Sequence, residues 1–190
     1  MNKPLQGSGS IRIIGGSLRR SRLLVPKSPG LRPTPDRIRE TLFNWLAPVL
    51  PGSYCLDLFA GTGVLGIEAV SRGAGKAILL EQDLRLIMAL RDNLERLQIA
   101  NAQAIHTDTL DWLQHSPRRF DVVFVDPPFA SALWPLVLQR LRPWLAEGAR
   151  VYVEWPKKHD LTIPYGLKPL RQAHAGEVSY VLLQTIQTPE

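Results

Sequence analysis

From Gly52 onward, short apolar runs alternate with longer amphipathic stretches along the chain. The runs Tyr54–Phe59, Ala77–Glu81, Ala102–His106, Phe120–Asp126 and Arg150–Trp155 predict strands, being short and bounded by turn residues. Between them, Gly63–Arg72, Leu84–Leu97, a short stretch around Asp111–His115, and Ala132–Leu141 predict helices. Strands that alternate with helices imply right-handed βαβ units and a mostly parallel, doubly wound α/β sheet of Rossmann-like type. The last part departs from this rhythm. Gly166–Leu170 and Glu177–Gln184 predict two strands with no room for a long helix between them, so an antiparallel hairpin closes the sheet.

The first fifty residues read differently. Ile11–Ile14, Gly15-Gly16 and Ser21–Val25 predict strand, turn and strand, and Pro26, Pro29, Gly30 and Pro33 make a non-helical link. Thr34 then has the character of an N-cap, with Pro35 at the first helical position and Asp36 in the first turn. Ile38, Leu42, Trp45, Leu46 and Val49 recur at helical spacing until Pro51-Gly52. The expected organisation is a flexible tail over 1–10, a small hairpin-and-helix extension over 11–51, and the α/β domain over 52–190.

Composition narrows the class. The chain has 190 residues, 45% of them hydrophobic, enough for one domain with a core that needs no staples. Cys55 is the single cysteine, which excludes an intramolecular disulfide. His106, His115, His159 and His174 show no metal-ligand spacing, so no metal is expected. No apolar run approaches the roughly 20 residues of a membrane span, and Met1–Ser10 lacks a signal-like stretch. A cytoplasmic monomer without membrane attachment is the expectation.

Charge is more informative for its place than for its total. The net charge is +6, but residues 1–50 hold nine basic and two acidic residues while the other 140 hold 14 and 15. The excess sits in the extension, where Arg12, Arg19, Arg20, Arg22, Arg32 and Arg37 are candidates for gripping the phosphates of a polyanion. Arg32 and Arg37 flank the helix start, within reach of a cofactor carboxylate or a base pocket.

Asp57-Leu-Phe-Ala-Gly61-Thr-Gly63-Val-Leu-Gly66 joins the first long strand to its helix. Gly61 and Gly63 permit a tight turn and close approach of a ligand, and Gly66 permits helix and strand to pack. Glu81, twenty residues after Gly61, ends the next strand and is placed to accept from ribose hydroxyls. That arrangement serves NAD as well as S-adenosylmethionine. Asp57 favours the second, because a carboxylate there repels a pyrophosphate and suits a cationic amino-acid end. Asp108 is the type of residue that accepts from an adenine amine, and it equally suits the N-cap of the short helix that follows.

Phe120-Asp-Val-Val-Phe-Val-Asp126-Pro127-Pro128-Phe129 carries the chemistry. Two prolines fix the backbone and remove two N–H donors, leaving a rigid turn rich in acceptors. Asp126 and the Pro127 carbonyl can each accept one N–H of an exocyclic amine, and Phe129 offers a face for the base. Such an amine is a poor nucleophile, since its lone pair is delocalised into the ring. Two acceptors off the ring plane favour a pyramidal nitrogen, and a carboxylate stabilises the positive charge that grows as a methyl arrives. Trp112, Trp134, Trp144 and Trp155 read as core or helix-packing residues, with Trp134 close enough to Phe129 in sequence to join the pocket rim as well; Lys157 and Lys158 read as a solvated turn.

Asp126-Pro-Pro-Phe129 resembles the (Asp/Asn)-Pro-Pro-(Tyr/Phe) motif of amino-group methyltransferases. Together with Arg12-Ile-Ile-Gly-Gly16, Leu31-Arg-Pro-Thr-Pro-Asp-Arg-Ile-Arg-Glu-Thr-Leu-Phe-Asn-Trp45-Leu and Asp57-Leu-Phe-Ala-Gly-Thr-Gly-Val-Leu-Gly-Ile-Glu-Ala69, in that order, the chain is similar over residues 11–184 to one bacterial family. These are the 16S ribosomal RNA guanine-N2 methyltransferases that modify a single guanine of the small subunit. The resemblance implies the seven-stranded methyltransferase fold, S-adenosylmethionine as donor, and ribosomal RNA, naked or in a partly assembled small subunit, as partner. It places Asp57, Gly61, Gly63 and Glu81 on the cofactor and Asp126, Pro127 and Phe129 on the base; the family pattern is looser at Asp108. The tetrapeptide alone also fits an adenine-N6 methyltransferase of DNA or RNA. The glycine loop alone fits an NAD-dependent dehydrogenase, and the basic arm alone fits a non-catalytic RNA-binding factor.

Overall fold

The computed structural model describes residues 9–26, 34–128 and 132–186. Its main sheet has seven strands in the order β5-β4-β3-β6-β7-β9-β8. These are β3 Tyr54–Asp57, β4 Lys76–Glu81, β5 Ala102–His106, β6 Phe120–Val125, β7 Leu145–Pro156, β8 Leu167–Ala175 and β9 Val178–Thr185. β3 to β7 pair in parallel, and β9 returns antiparallel to both β7 and β8. A separate hairpin of β1 Gly9–Arg12 and β2 Arg22–Val25 precedes them.

The central strands are apolar throughout because both faces are covered. Along β6, Val122 and Phe124 join one core cluster while Val123 and Val125 join the other. The first cluster lies under α1 Asp36–Leu46, α2 Val64–Ser71 and α3 Leu84–Arg96; the second lies under α4 Thr109–Trp112 and α5 Trp134–Leu141. Because β4 lies on one side of β3 and β6 on the other, the chain reverses its winding at the carboxyl ends of β3 and β6. In open α/β sheets that reversal opens a ligand crevice.

The extension is fastened to the first layer rather than folded on its own. Ile13 and Leu23 are fully buried in the same cluster as Leu42 and Leu182. The Asn93 amide of α3 clasps Leu24, accepting from its N–H at 2.9 Å and donating to its carbonyl at 2.8 Å. Gly16 has φ 76°, and a Cβ there would lie 1.8 Å from the Ser71 carbonyl oxygen, so only glycine lets the hairpin turn sit on α2.

Several predicted boundaries moved. Gly9 and Ser10 pair with Val25 and Leu24 in β1. β7 begins at Leu145, well ahead of the predicted Arg150, with a register shift against β6. β8 runs on to Ala175 as an edge strand whose mixed exposure gives little apolar signal. α1 stops at Leu46, three residues short of the apolar pattern, just before Pro48. Trp134 is buried in the second core layer, its ring 5.7 Å from that of His159, and is a packing residue rather than part of a pocket rim. Among the described residues, no helix is long and apolar enough to cross a membrane.

Candidate active site

The carboxyl ends of β3, β4, β6 and β7 bring Asp57, Glu81, Asp126 and Glu154 to one edge of the sheet. Gly63 makes the turn from β3 into α2 possible. It sits at φ 77°, and a Cβ there would meet Leu90 at 2.3 Å. The loop consumes its own donors: Gly61 N–H donates to Glu81 Oε2 at 2.8 Å, Gly63 N–H to the Ala60 carbonyl at 2.6 Å, and Gly66 N–H to Asp57 Oδ2 at 3.1 Å. Val64 N–H donates to Thr62 Oγ1 at 3.4 Å.

Asp57 is buried, and burial pushes its carboxyl up to about 7 despite the Gly66 and Phe59 N–H groups that favour its charge. Glu81 is half-buried and has both oxygens engaged, Oε2 by Gly61 and Oε1 by Asp83 N–H at 2.7 Å. Asp108 is the N-cap of α4: its Oδ1 accepts from Leu110 N–H at 2.7 Å and Asp111 N–H at 3.1 Å. No described donor reaches its Oδ2, so capping and ligand binding are compatible.

On the other side of β3, Asp126 is half-buried directly after β6, with Pro127 buried and Pro128 exposed. Phe129 lies outside the described residues. Asp126 Oδ2 accepts from Thr34 Oγ1 at 3.3 Å. Burial, then the charges of Glu154 and Asp57, hold its carboxyl well above the usual range. Glu154 is 4% exposed and accepts from Tyr152 Oη at 2.8 Å. Burial pushes Glu154 up to about 7, while the Tyr152 hydroxyl opposes that shift.

The predicted capping role of Thr34 is thereby corrected. Pro35 precedes the helix with no side-chain cap, and the Thr34 hydroxyl turns to Asp126 instead. Arg39 fixes this arrangement. Fully buried, it donates from Nε to the Thr34 carbonyl at 3.2 Å and to Glu68 at 3.1 Å. It also reaches Asp36 at 2.5 Å and the Arg12 carbonyl at 3.0 Å. Glu68, itself fully buried, accepts from Ile14 and Gly15 N–H at 3.0 and 2.8 Å, and pairs with Arg72 at 2.9 Å. A buried pair of this kind is tolerable only when its remaining donors and acceptors are filled, as they are here. One network thus ties the hairpin turn, α1 and α2 to the residue that touches Asp126.

The arginines of the extension divide. Arg12 pairs with Asp36 at 3.0 Å on the surface, and Arg22 donates to Ser10 Oγ at 2.9 Å. Arg19, Arg20 and Arg37 are exposed and make no side-chain hydrogen bond among the described residues. Arg32 lies outside them. Arg12 and Arg22 line a cleft of about 340 Å³ together with Thr34 and Asp36, so the basic arm opens onto the residue that contacts Asp126. Sequence reasoning missed Arg39, Glu68, Tyr152 and Glu154. The signal was there for both glutamates, each a lone acid in an otherwise apolar run, Val64–Val70 and Val151–Trp155.

Residues 11–184 match the family described as Conserved hypothetical protein 95. The chain is 46% identical over 188 residues to ribosomal RNA small subunit methyltransferase D of Escherichia coli strain K12, covering 97% of this chain and 95% of that one. The protein of the same name from Haemophilus influenzae is 45% identical over 183 residues, covering 93% and 94%. The solved structure of yhhF from Escherichia coli superposes with a TM-score of 0.87 at 42% identity, over 93% of this chain and 98% of that chain.

Proposed function

The chain belongs to the Conserved hypothetical protein 95 family, alongside the ribosomal RNA small subunit methyltransferases D, and from that premise we propose that it methylates the exocyclic N2 amine of a guanine in small-subunit ribosomal RNA, with S-adenosylmethionine as donor. One observation carries the reading: the crevice is lined with acceptors. The glycine-loop N–H groups that a pyrophosphate needs are spent on Glu81, Ala60 and Asp57. Asp57, Asp126 and Glu154 meanwhile stand at the ends of three adjacent strands. Such a site repels a dinucleotide's phosphates and attracts a sulfonium and an ammonium group.

Within it, Glu81 receives ribose hydroxyls on its unused lone pairs, Asp108 Oδ2 the adenine amine, and Asp57 the amino-acid end, with Gly61 and Gly63 letting the ligand approach. S-adenosylmethionine, when bound, supplies a methyl carbon on sulfonium, so that transfer leaves the neutral thioether S-adenosylhomocysteine and one proton. Asp126 and the Pro127 carbonyl hold the two N–H bonds of the amine and turn its lone pair out of the ring plane, while Phe129 stacks on the base. The raised carboxyl of Asp126 suits it to take the departing proton. A stacked guanine cannot reach the crevice, so the flanking backbone must be held while the base is flipped out. Arg12, Arg19, Arg20, Arg22, Arg32 and Arg37 provide that grip.

Calorimetric titration with S-adenosylmethionine and with NAD, followed by transfer of labelled methyl to small-subunit RNA or particles, tests this. Binding of the first ligand alone and label in guanine are expected. Binding of NAD, or no transfer to RNA, overturns the reading.

A further inference from the structure

We propose that Glu154 is the residue through which the site selects guanine: its carboxylate accepts the ring N1–H that neighbours the amine held by Asp126. The assignment rests on the guanine-N2 reading above and adds to it the group that recognises the base.

The strand register supplies the geometry. Phe124 pairs with Tyr152 and Val125 with Val153 across β6 and β7. One residue further, Asp126 and Glu154 come side by side, on the face of the sheet that carries Phe124 and Tyr152. Neighbouring strands lie about 4.7–4.9 Å apart, so two carboxylates stand together at the crevice. Each has a single described partner, Thr34 for Asp126 and Tyr152 for Glu154, and each partner binds one oxygen only. Glu154 Oε1 has no donor among the described residues and, since no buried side-chain oxygen among them lacks a partner, this oxygen is not sealed from solvent. A carboxylate crowded by a second one and short of donors gains from a ligand that brings them.

Guanine offers what this pair lacks. Its Watson–Crick edge presents N1–H beside the N2 amine, two donors in a row. Adenine presents its amine beside an N1 acceptor, whose lone pair would point at the Glu154 carboxylate. A site built to accept an N–H discriminates strongly against a base that lacks it, because a buried acceptor is then left unpaired.

The test uses the full-length protein and a substrate RNA whose target guanine is replaced by 2-aminopurine, which keeps the N2 amine but has no N1–H. In the wild type, kcat/KM for guanine should exceed that for 2-aminopurine by roughly 10–100-fold, the scale of one charge-assisted hydrogen bond. In Glu154→Gln the side-chain amide can donate to the bare N1, so the ratio should shrink about tenfold or more while S-adenosylmethionine affinity holds. Intrinsic differences between the two amines cancel in that comparison. An unchanged ratio in a folded, cofactor-binding variant overturns the proposal, and so do equal rates on the two bases in the wild type, which needs no variant. Methylation of adenine instead of guanine would overturn the guanine reading itself, a separate outcome.

Discussion

Glu81, at the end of β4, has both oxygens on backbone N–H groups, whereas Glu154, at the end of β7, has one phenol donor and a carboxylate for a neighbour. Asp57 and Asp126 repeat the contrast: Asp57 accepts from the Gly66 and Phe59 N–H groups, and Asp126 from a single hydroxyl at 3.3 Å. The two sides of the crevice therefore use the same side-chain type with different hydrogen-bond partners. On the glycine-loop side the backbone fixes the acceptors before anything binds. On the β6–β7 side the acceptors are crowded together and short of donors, a state that a base bearing N–H groups relieves. A rigid half suits a ligand common to many reactions, and an unsatisfied half suits selection among substrates.

The sharpest way to break this contrast is to remove Asp126. Asp126→Ala should lower the single-turnover methylation rate by roughly 10²–10³ and leave S-adenosylmethionine affinity nearly unchanged, since the loss falls on charge that develops in the transition state. Asp126→Asn, which keeps an acceptor oxygen, should be milder. A normal rate in Asp126→Ala would dissolve the amine clamp.

Glu81→Ala should do the reverse, weakening S-adenosylmethionine by about 1.5–3 kcal/mol for each charge-assisted bond lost, with the chemical step little changed once cofactor is saturating. Calorimetry reads this directly, and equal affinity would show that the ribose lies elsewhere.

Two of these carboxyls also make stability depend on pH. Folding lifts Glu154 from its ordinary 4.5, and Asp57 from 3.8, each to about 7. A carboxyl raised by folding contributes stability that is full below its unfolded value and is lost as pH rises through the folded one. The ligand-free protein should thus lose stability, on the order of 5 kcal/mol for the two groups together, between pH 4.5 and pH 8, and Glu154→Gln should flatten the slope. Denaturant titrations at the two pH values decide it; stability that climbs with pH through this window would contradict the upward shift of these two buried carboxyls.

The smallest effect is expected at Thr34. Its hydroxyl bond to Asp126 is long, so Thr34→Val should slow methylation by no more than about tenfold, the weight of one neutral hydrogen bond, without touching cofactor affinity. A change in S-adenosylmethionine binding instead would mean that Thr34 serves the glycine-loop side.

That asymmetry also explains what the sequence made legible. The glycine-loop half is local: Asp57, Gly61, Gly63 and Glu81 lie in two consecutive βα units, and strand-turn-helix patterning alone points to them. Asp126 announces itself through its two prolines. Glu154 depends on which strand lies beside β6, and that neighbour, β7, comes after a helix and begins before its apolar run does. Thr34 misled for a physical reason. It has an N-cap's identity and position, but a tertiary partner ninety-two residues away and the Arg39 grip on its carbonyl outweigh the local cap. Arg39 carries no signal of its own in a helix whose two arginines balance two acids, and only the fold reveals that Glu68 and Asp36 enclose it. The fold class was carried by period and order, which are properties of the chain. The anchoring network and the second carboxylate arise between distant segments.

The most direct test is nucleoside mass spectrometry of small-subunit ribosomal RNA from a strain lacking this protein, before and after treatment with purified protein and labelled S-adenosylmethionine. Loss of one N2-methylguanosine and its restoration, carrying label, at the same position are expected of a guanine-N2 methyltransferase. Label in N6-methyladenosine, or an RNA already complete without the protein, would contradict that assignment.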